Sequence, residues 1–535
     1  MKKMIGLWLA LLLGMTAAAG CTGASASDAG MAQTDETIAI VAETDETSDA
    51  AEVVTAELTT EPASDDNMPP EPPDGMGTPP DGMGTPPDGM GTPPDGMGEP
   101  PAGDPPERPD GMGEPPSGGF GGNTPPGGST SSFEYTAATE ITSADTQAEQ
   151  TYASETANES ALIISTTDAV AITNPTVTKT GDSDGGDNCN FYGLNAAVLA
   201  KDGASVTITG GTITSSASGA NGVFSYGGNG GNNGAAGDGT TVTISDTVIT
   251  TTGSGSGGIM TTGGGVTCAN NLTVTTSGQS SAPIRTDRGG GWVYVDGGTY
   301  TSNGLGSPAI YSTAEIHVAN ATLISNLSEG VCIEGKNSIE LTNCDLTANN
   351  TKCNGNATFL DTIMIYQSMS GDADSGTSAF TMTGGTLTSK NGHVFHVTNT
   401  NAIITLTGVT IVNEDSENIL LSVCADGWSG AGNIATLNAV NQTLSGMILV
   451  GSDSTLTLHL SNGSTFTGTI SGEITNAKGT TVSTAVGTVN VTLDDTSTWA
   501  LTGDTYISTF TGDASNVIAN GYTLYVNGVA LTGTK

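Results

Sequence analysis

Eight times between residues 206 and 411 the chain repeats one short register of side chains. The register starts at Val206, Val242, Val266, Val293, Ile316, Ile339, Phe380 and Ile404. Two places on stand Ile208, Ile244, Cys268, Val295, Val318, Leu341, Met382 and Leu406, all apolar. Four places on stand Gly210, Asp246, Asn270, Gly297, Asn320, Asn343, Gly384 and Gly408, all types that tolerate a left-handed backbone. Seven places on come Ile213, Ile249, Thr273, Tyr300, Leu323, Leu346, Leu387 and Ile411, apolar in seven of eight. Apolar residues alternating at period two belong to strands, because a helix repeats at 3.6. Each unit therefore reads as a short strand, a tight turn and a second short strand.

The starts are 36, 24, 27, 23, 23, 41 and 24 residues apart. Five of these spacings match one coil of a three-sided parallel β-helix. The two long ones carry insertions, Tyr226 to Gly239 and Asn349 to Gly376, which a coil can extrude without disturbing its neighbours. The expected fold is all-β: a right-handed parallel β-helix, a β-solenoid of the pectin-lyase-like kind, over residues 146–535. Coils continue through Thr455–Leu458 and Thr488–Leu493, and a closing strand follows Asn520-Gly521-Tyr522. About eleven coils at ~4.8 Å give a rod of roughly 50 Å. An array of β-sandwiches is the rival, but Greek-key domains do not repeat at this short period.

Charge and composition narrow the partners. Only 12 Lys+Arg stand against 55 Asp+Glu, a formal charge of −43, and aromatics make up 4%. Such a chain repels phosphate backbones, so nucleic acid is not an expected partner. Residues 1–20 have the order of an export signal: Lys2 and Lys3, an apolar run Ile5 to Met15 too short to span a bilayer, then Ala18-Ala19-Gly20. With Cys21 next, this resembles the lipobox of bacterial lipoproteins, Ala18 standing where an aliphatic residue is usual. The resemblance implies a lipidated Cys21 and a place on the extracellular face of the cell membrane. Each buried acyl methylene would contribute about 0.8 kcal/mol.

Residues 21–67 lack Lys and Arg and read as an acidic disordered tether. Residues 68–145 read as a linker built on Pro-Pro-Asp-Gly-Met-Gly-Thr, whose Asp-Gly-Met-Gly element begins at Asp74, Asp81, Asp88, Asp95 and Asp110. Paired prolines favour polyproline II and Asp-Gly favours turns, so this is a semi-stiff spacer.

Asp495 to Asp504, with Trp499 at its centre, resembles the last coils of bacterial surface adhesin and autotransporter passenger β-helices. No barrel follows before Lys535, so an autotransporter route is not expected. More widely, residues 200–535 resemble adhesin-like β-helix lipoproteins of Gram-positive gut bacteria. Glu329 to Leu341 carries a weaker similarity to clostridial carbohydrate-binding β-helix proteins. These resemblances imply fold far more than function.

Candidate chemistry is sparse. A β-helix glycosidase needs two or three carboxylates on adjacent coils, and a lyase needs a calcium-holding Asp cluster with a basic residue. Arg285, Asp287 and Arg288 form the densest polar group and could grip a carboxylated sugar, although a solvated turn with a local ion pair is plainer. His393 and His396, three apart on a strand, should face opposite sides. Val394 also breaks the Gly-His-Gly element of polygalacturonases. Asp182, Asp184 and Asp187 resemble the start of a calcium loop, but Gly193 stands where the closing Glu belongs, and a solvated acidic loop is plainer. Calcium is the one cofactor left open. Trp292 and Trp428 are candidate platforms for sugar stacking, with partial burial under a loop the simpler expectation. Most of the six cysteines after Cys21 read as thiols, Cys268 in an inward slot, with Cys344 and Cys353 the pair to suspect.

The expectation is a non-catalytic surface lipoprotein that presents a β-helix to a glycan or a cell-surface protein. A β-helix polysaccharide lyase or glycoside hydrolase is the alternative, and a structural envelope spacer a third. Cys21→Ala should shift the protein from the membrane fraction to the soluble fraction. Full membrane retention of that variant would overturn the anchor.

Overall fold

The computed structural model describes residues 134–535, residue 369 excepted; the expected export signal, Cys21, the expected tether and most of the expected linker lie outside the described residues. The chain winds as a right-handed parallel β-helix. Its first face stacks thirteen parallel strands, from Thr136–Ile141 to Ile470–Ser471. The second and third faces share a 22-stranded sheet, and a separate four-stranded ladder continues the third face toward the C-terminus. The first strand lies ahead of the expected start at 146.

Inside, Val206, Val242, Thr267, Val293, Ile316, Ile339, Phe380, Ile404, Leu437, Leu458 and Val491 stand in register, one above the next. Parallel pairing spaces neighbours in such a column by about 4.8 Å. Between the second and third faces each coil turns through a left-handed residue, followed by a second one at Gly211, Gly298 and Gly385. Gly210, Asp246, Asn271, Gly297, Asn320, Asn343, Gly384 and Gly408 have φ between 51° and 71°, and Asn174 and Asn441 extend the series at either end.

One coil departs from the expected register. Val266 pairs with Thr241 and Trp292 on the outer side, and Thr267 takes the inward slot. Its buried hydroxyl bonds to Ser225 Oγ at 2.9 Å and shares a hydrogen bond with Thr261 Oγ1 at 2.6 Å, so the polar group is satisfied. Ala269, Asn271 and Val274 then occupy the slots expected of Cys268, Asn270 and Thr273. Cys268 thus faces outward between Thr243 and Tyr294, not into the core. Cys189, Cys332, Cys344, Cys353 and Cys424 are free thiols, so the suspected Cys344–Cys353 pair does not form.

The second long insertion is also not one loop. Asp361–Tyr366 inside it is a strand of the first face. Several strands of this face are buried at every position, among them Asp361–Tyr366, His393–Thr398 and Ile419–Val423. Their outer side is roofed by the insertions and by an antiparallel pair, Glu473–Thr475 with Thr481–Thr484. At the C-terminus Leu524–Val526 pairs with Thr505–Ile507 and folds back onto Val529–Ala530. The connecting Asn527 and Gly528 both have positive φ, the geometry of a type I′ turn.

The left-handed turn residues give a direct test. Asn343 has φ 51°. Asn343→Ala should lose about 1–2 kcal/mol in urea unfolding, whereas Asn343→Gly should stay close to the parent. Equal losses in both would show that backbone conformation is not what this position requires.

Candidate functional site

Two kinds of surface result from this winding. Beneath the roof, the first face collects titratable groups. The strand His393–Thr398 opens with Val394 and Phe395 both in the core, and the next strand has a register irregularity between Ile419 and Leu421. The break in alternation brings both histidines to the outer side, correcting the expectation that they diverge. Ser422 Oγ lies 2.7 Å from His393 Nδ1 and 2.8 Å from His396 Nδ1. His396 Nε2 sits 3.4 Å from Asp426 Oδ2, and the Phe359 ring covers both imidazoles at 5.3 and 4.7 Å.

Asp426 Oδ1 accepts from Thr358 N–H at 2.8 Å, Thr358 Oγ1 at 2.6 Å and Gly427 N–H at 2.8 Å, tying two roof segments together. Burial works to raise the Asp426 carboxyl, but the adjacent His396 and the hydrogen bonds from Thr358 and Gly427 outweigh it and hold it below its ordinary value. Burial, then the neighbouring His396, drives His393 down to about 3, so its ring stays neutral. Asp361 pairs with His393 in the ladder; burial, with Glu329 and Asp426 nearby, pushes it well above the usual carboxylate range. Burial likewise raises Glu329. Glu334 is buried too, accepting from Tyr311 at 2.6 Å, from Tyr366 at 3.1 Å and from Ser370 at 3.2 Å, and also from Ser368. Ser422 and His396 are fully buried, as is the side chain of Asp426. A serine, a histidine and an aspartate are the residue types of acyl transfer, but His396 Nε2 and Asp426 Oδ2 approach without a hydrogen bond, and no polymer can reach these buried groups.

The arginines belong to the roof as well. Arg285 lies on the strand Ile284–Thr286, its Nη2 2.8 Å from Asp287 Oδ2 and its Nη1 donating to Asn190 Oδ1 at 3.2 Å. Burial outweighs that ion pair and lifts the Asp287 carboxyl to about 7. Arg288 holds Asp372 Oδ1 through Nε at 3.0 Å and Nη2 at 2.5 Å, with its guanidinium 4.2 Å from the Phe191 ring centre. Trp428 is half-buried, packed at 4.8 Å against Tyr366. The three acidic candidates are engaged separately. Asp182 Oδ1 accepts from Ser218 N–H at 2.8 Å, Asp184 Oδ1 accepts from Asn158 Nδ2 at 3.2 Å, and Asp187 opens the five-residue helix Asp187–Phe191. Among the described residues no three His, Cys, Asp or Glu side chains converge as metal ligands.

Trp292 is different. It stands on the outer side of the open second face, 37% exposed, between Val266 and Glu315. Two residues along the same side, Tyr294 stacks on His317, ring centres 5.3 Å apart and planes 10° from parallel. His317 is held by Glu315 at 2.7 Å and Glu340 at 3.1 Å. The result is a flat aromatic terrace edged by carboxylates. No protein-family profile, curated protein or solved structure matches the chain. The terrace therefore rests on its own geometry. Sequence inspection found Trp292 but missed Tyr294 and His317, which period-two spacing and the 23-residue coil step from Tyr294 place beside it.

Asp361 makes the roofed cluster testable. Asp361 Oδ1 has no hydrogen-bond partner among the described residues. A carboxyl whose folded pKa is raised makes the native state bind more protons than the unfolded chain, so its contribution to stability falls as pH climbs above ~4. Asp361→Asn should therefore raise the melting temperature relative to the parent by more at pH 8 than at pH 4. A gap that does not widen with pH would contradict this.

Proposed function

We propose that this is a non-catalytic surface lipoprotein that uses its β-helix to bind glycan on other surfaces. The observation that carries the proposal is the exposed Trp292 with the Tyr294–His317 stack on an open, flat face. An aromatic face offers apolar area to sugar C–H groups at low conformational cost, and the neighbouring Glu315 and Glu340 supply acceptors for hydroxyls. The groups that could perform hydrolysis lie under the roof, which weighs against a lyase or hydrolase. Anchoring through Cys21, with the acidic tether and proline repeat as a stalk, would hold the rod away from the membrane. Polyanionic polymers should bind poorly unless calcium bridges them to so acidic a chain.

The test is retention of the protein on a panel of immobilised polysaccharides, with and without calcium, with product analysis of each polymer. Saturable retention without new chain ends, weakened about fivefold by Trp292→Ala, is the expected result; one aromatic contact contributes on the order of 1 kcal/mol. Unsaturated or shortened products would replace the proposal with an enzyme.

A further inference from the structure

The hydrogen-bonded ladder of the third face is broken between Thr410–Asn413 and Thr443–Ser445. The first of these strands pairs back to Thr386–Ser389 and the second forward to Thr465–Gly468, but they do not pair with each other. A slit of about 540 Å³ opens between them, within the ~300–1,000 Å³ usual for small-ligand sites. Both of its ends are shut. At one, the Gln442 amide imitates a missing backbone: Nε2 donates to Val409 O at 2.7 Å and Oε1 accepts from Val409 N–H at 2.7 Å. At the other, Met447 N–H donates to Asn418 O at 2.9 Å.

The lips carry unspent hydrogen-bonding capacity. Thr410 and Glu414 N–H groups bond back to Gly385 and Ser389, so alternation turns the backbone groups of Ile411 and Asn413 into the slit. On the other lip Gln442 O and Gly446 N–H bond forward to Thr465 and Thr467, which turns Thr443 and Ser445 inward to face them, although Thr443 O is taken by Gln442 Nε2 at 2.9 Å. Asn418 and Asn441, at φ 51° and 48°, line the slit with amides that meet no hydrogen-bond partner among the described residues. No charged residue lines it, in a chain of net charge −43.

We infer that the slit binds a short neutral oligosaccharide, a second glycan site whose ligand class rests on the glycan-binding reading above. Convergent amides, hydroxyls and free backbone groups without charge match a ligand made of hydroxyls. A peptide strand added to either edge would have to run on past Gln442 and Met447, where the wall is closed; a short glycan enters from the side and ends there.

Calorimetric titration of the full chain with cellotetraose, xylotetraose and mannotetraose tests this, with trigalacturonate and an alternating Thr-Val pentapeptide as comparators. One neutral tetrasaccharide should still bind saturably to Trp292→Ala, the variant that lacks the terrace contact. Asn418→Gly combined with Asn441→Gly keeps the left-handed backbone and removes both amides, so the variant should melt with the parent yet bind about tenfold more weakly or worse. Binding lost in Trp292→Ala but unchanged in the double glycine variant would overturn the slit and leave the terrace standing. Binding of the pentapeptide or of trigalacturonate alone would overturn the ligand class. Uptake of none of the probes would overturn the proposal outright.

Discussion

The left-handed residue at the corner between the second and third faces governs much of what this chain does. A side chain with a Cβ resists that conformation by about 1–2 kcal/mol, so the position is held by Gly, Asn or Asp through eight coils. The corner fixes where one strand stops and the next begins, and hence which side chains turn inward. Because strand side chains alternate, a slip of one residue would send the whole apolar set outward. Coil upon coil, the corner residues set the register, and the register builds the core column.

The winding then separates two chemistries. On the second and third faces alternation leaves every other residue in solvent, and that is where Trp292 and Tyr294 stand. On the first face the roof segments remove solvent from both sides of the sheet. Buried carboxyls and imidazoles there are retained through hydrogen bonds: Asp426 to Thr358, Glu334 to its hydroxyl donors, both histidines to Ser422. Charge in such a place is costly, which is why His393 stays neutral and Asp361 resists ionising. These groups cross-link the roof to the sheet.

Legibility in the sequence followed solvent exposure. The two half-exposed faces advertise themselves by alternation, and their strands and corners could be read directly. The first face could not, because strands buried on both sides, such as Asp361–Tyr366, show no alternation. Thr267 escaped for a related reason. A search for apolar inward residues slid to Val266, since nothing local reveals that Ser225 and Thr261 wait to satisfy a hydroxyl. His393 and His396 converge only because two core residues follow in succession. The terrace was half visible, its tryptophan plain and its partners one coil away. The slit was invisible, since it depends on Gln442, an ordinary residue until the strand opposite it is known.

Gln442 has a mechanical consequence. In a solenoid each coil is coupled only to its neighbours, so stability is a sum of coil terms and junction terms. At the junction that Gln442 bridges, the first and second faces remain hydrogen-bonded through His393–Thr398 and Thr400–Thr407, while the third face contributes one side-chain amide. Coupling there is weaker than at junctions joined on all three sides. The rod therefore has a seam, dividing the coils before it from those after it into two cooperative blocks. Under load applied along its axis, the seam is where the rod parts first.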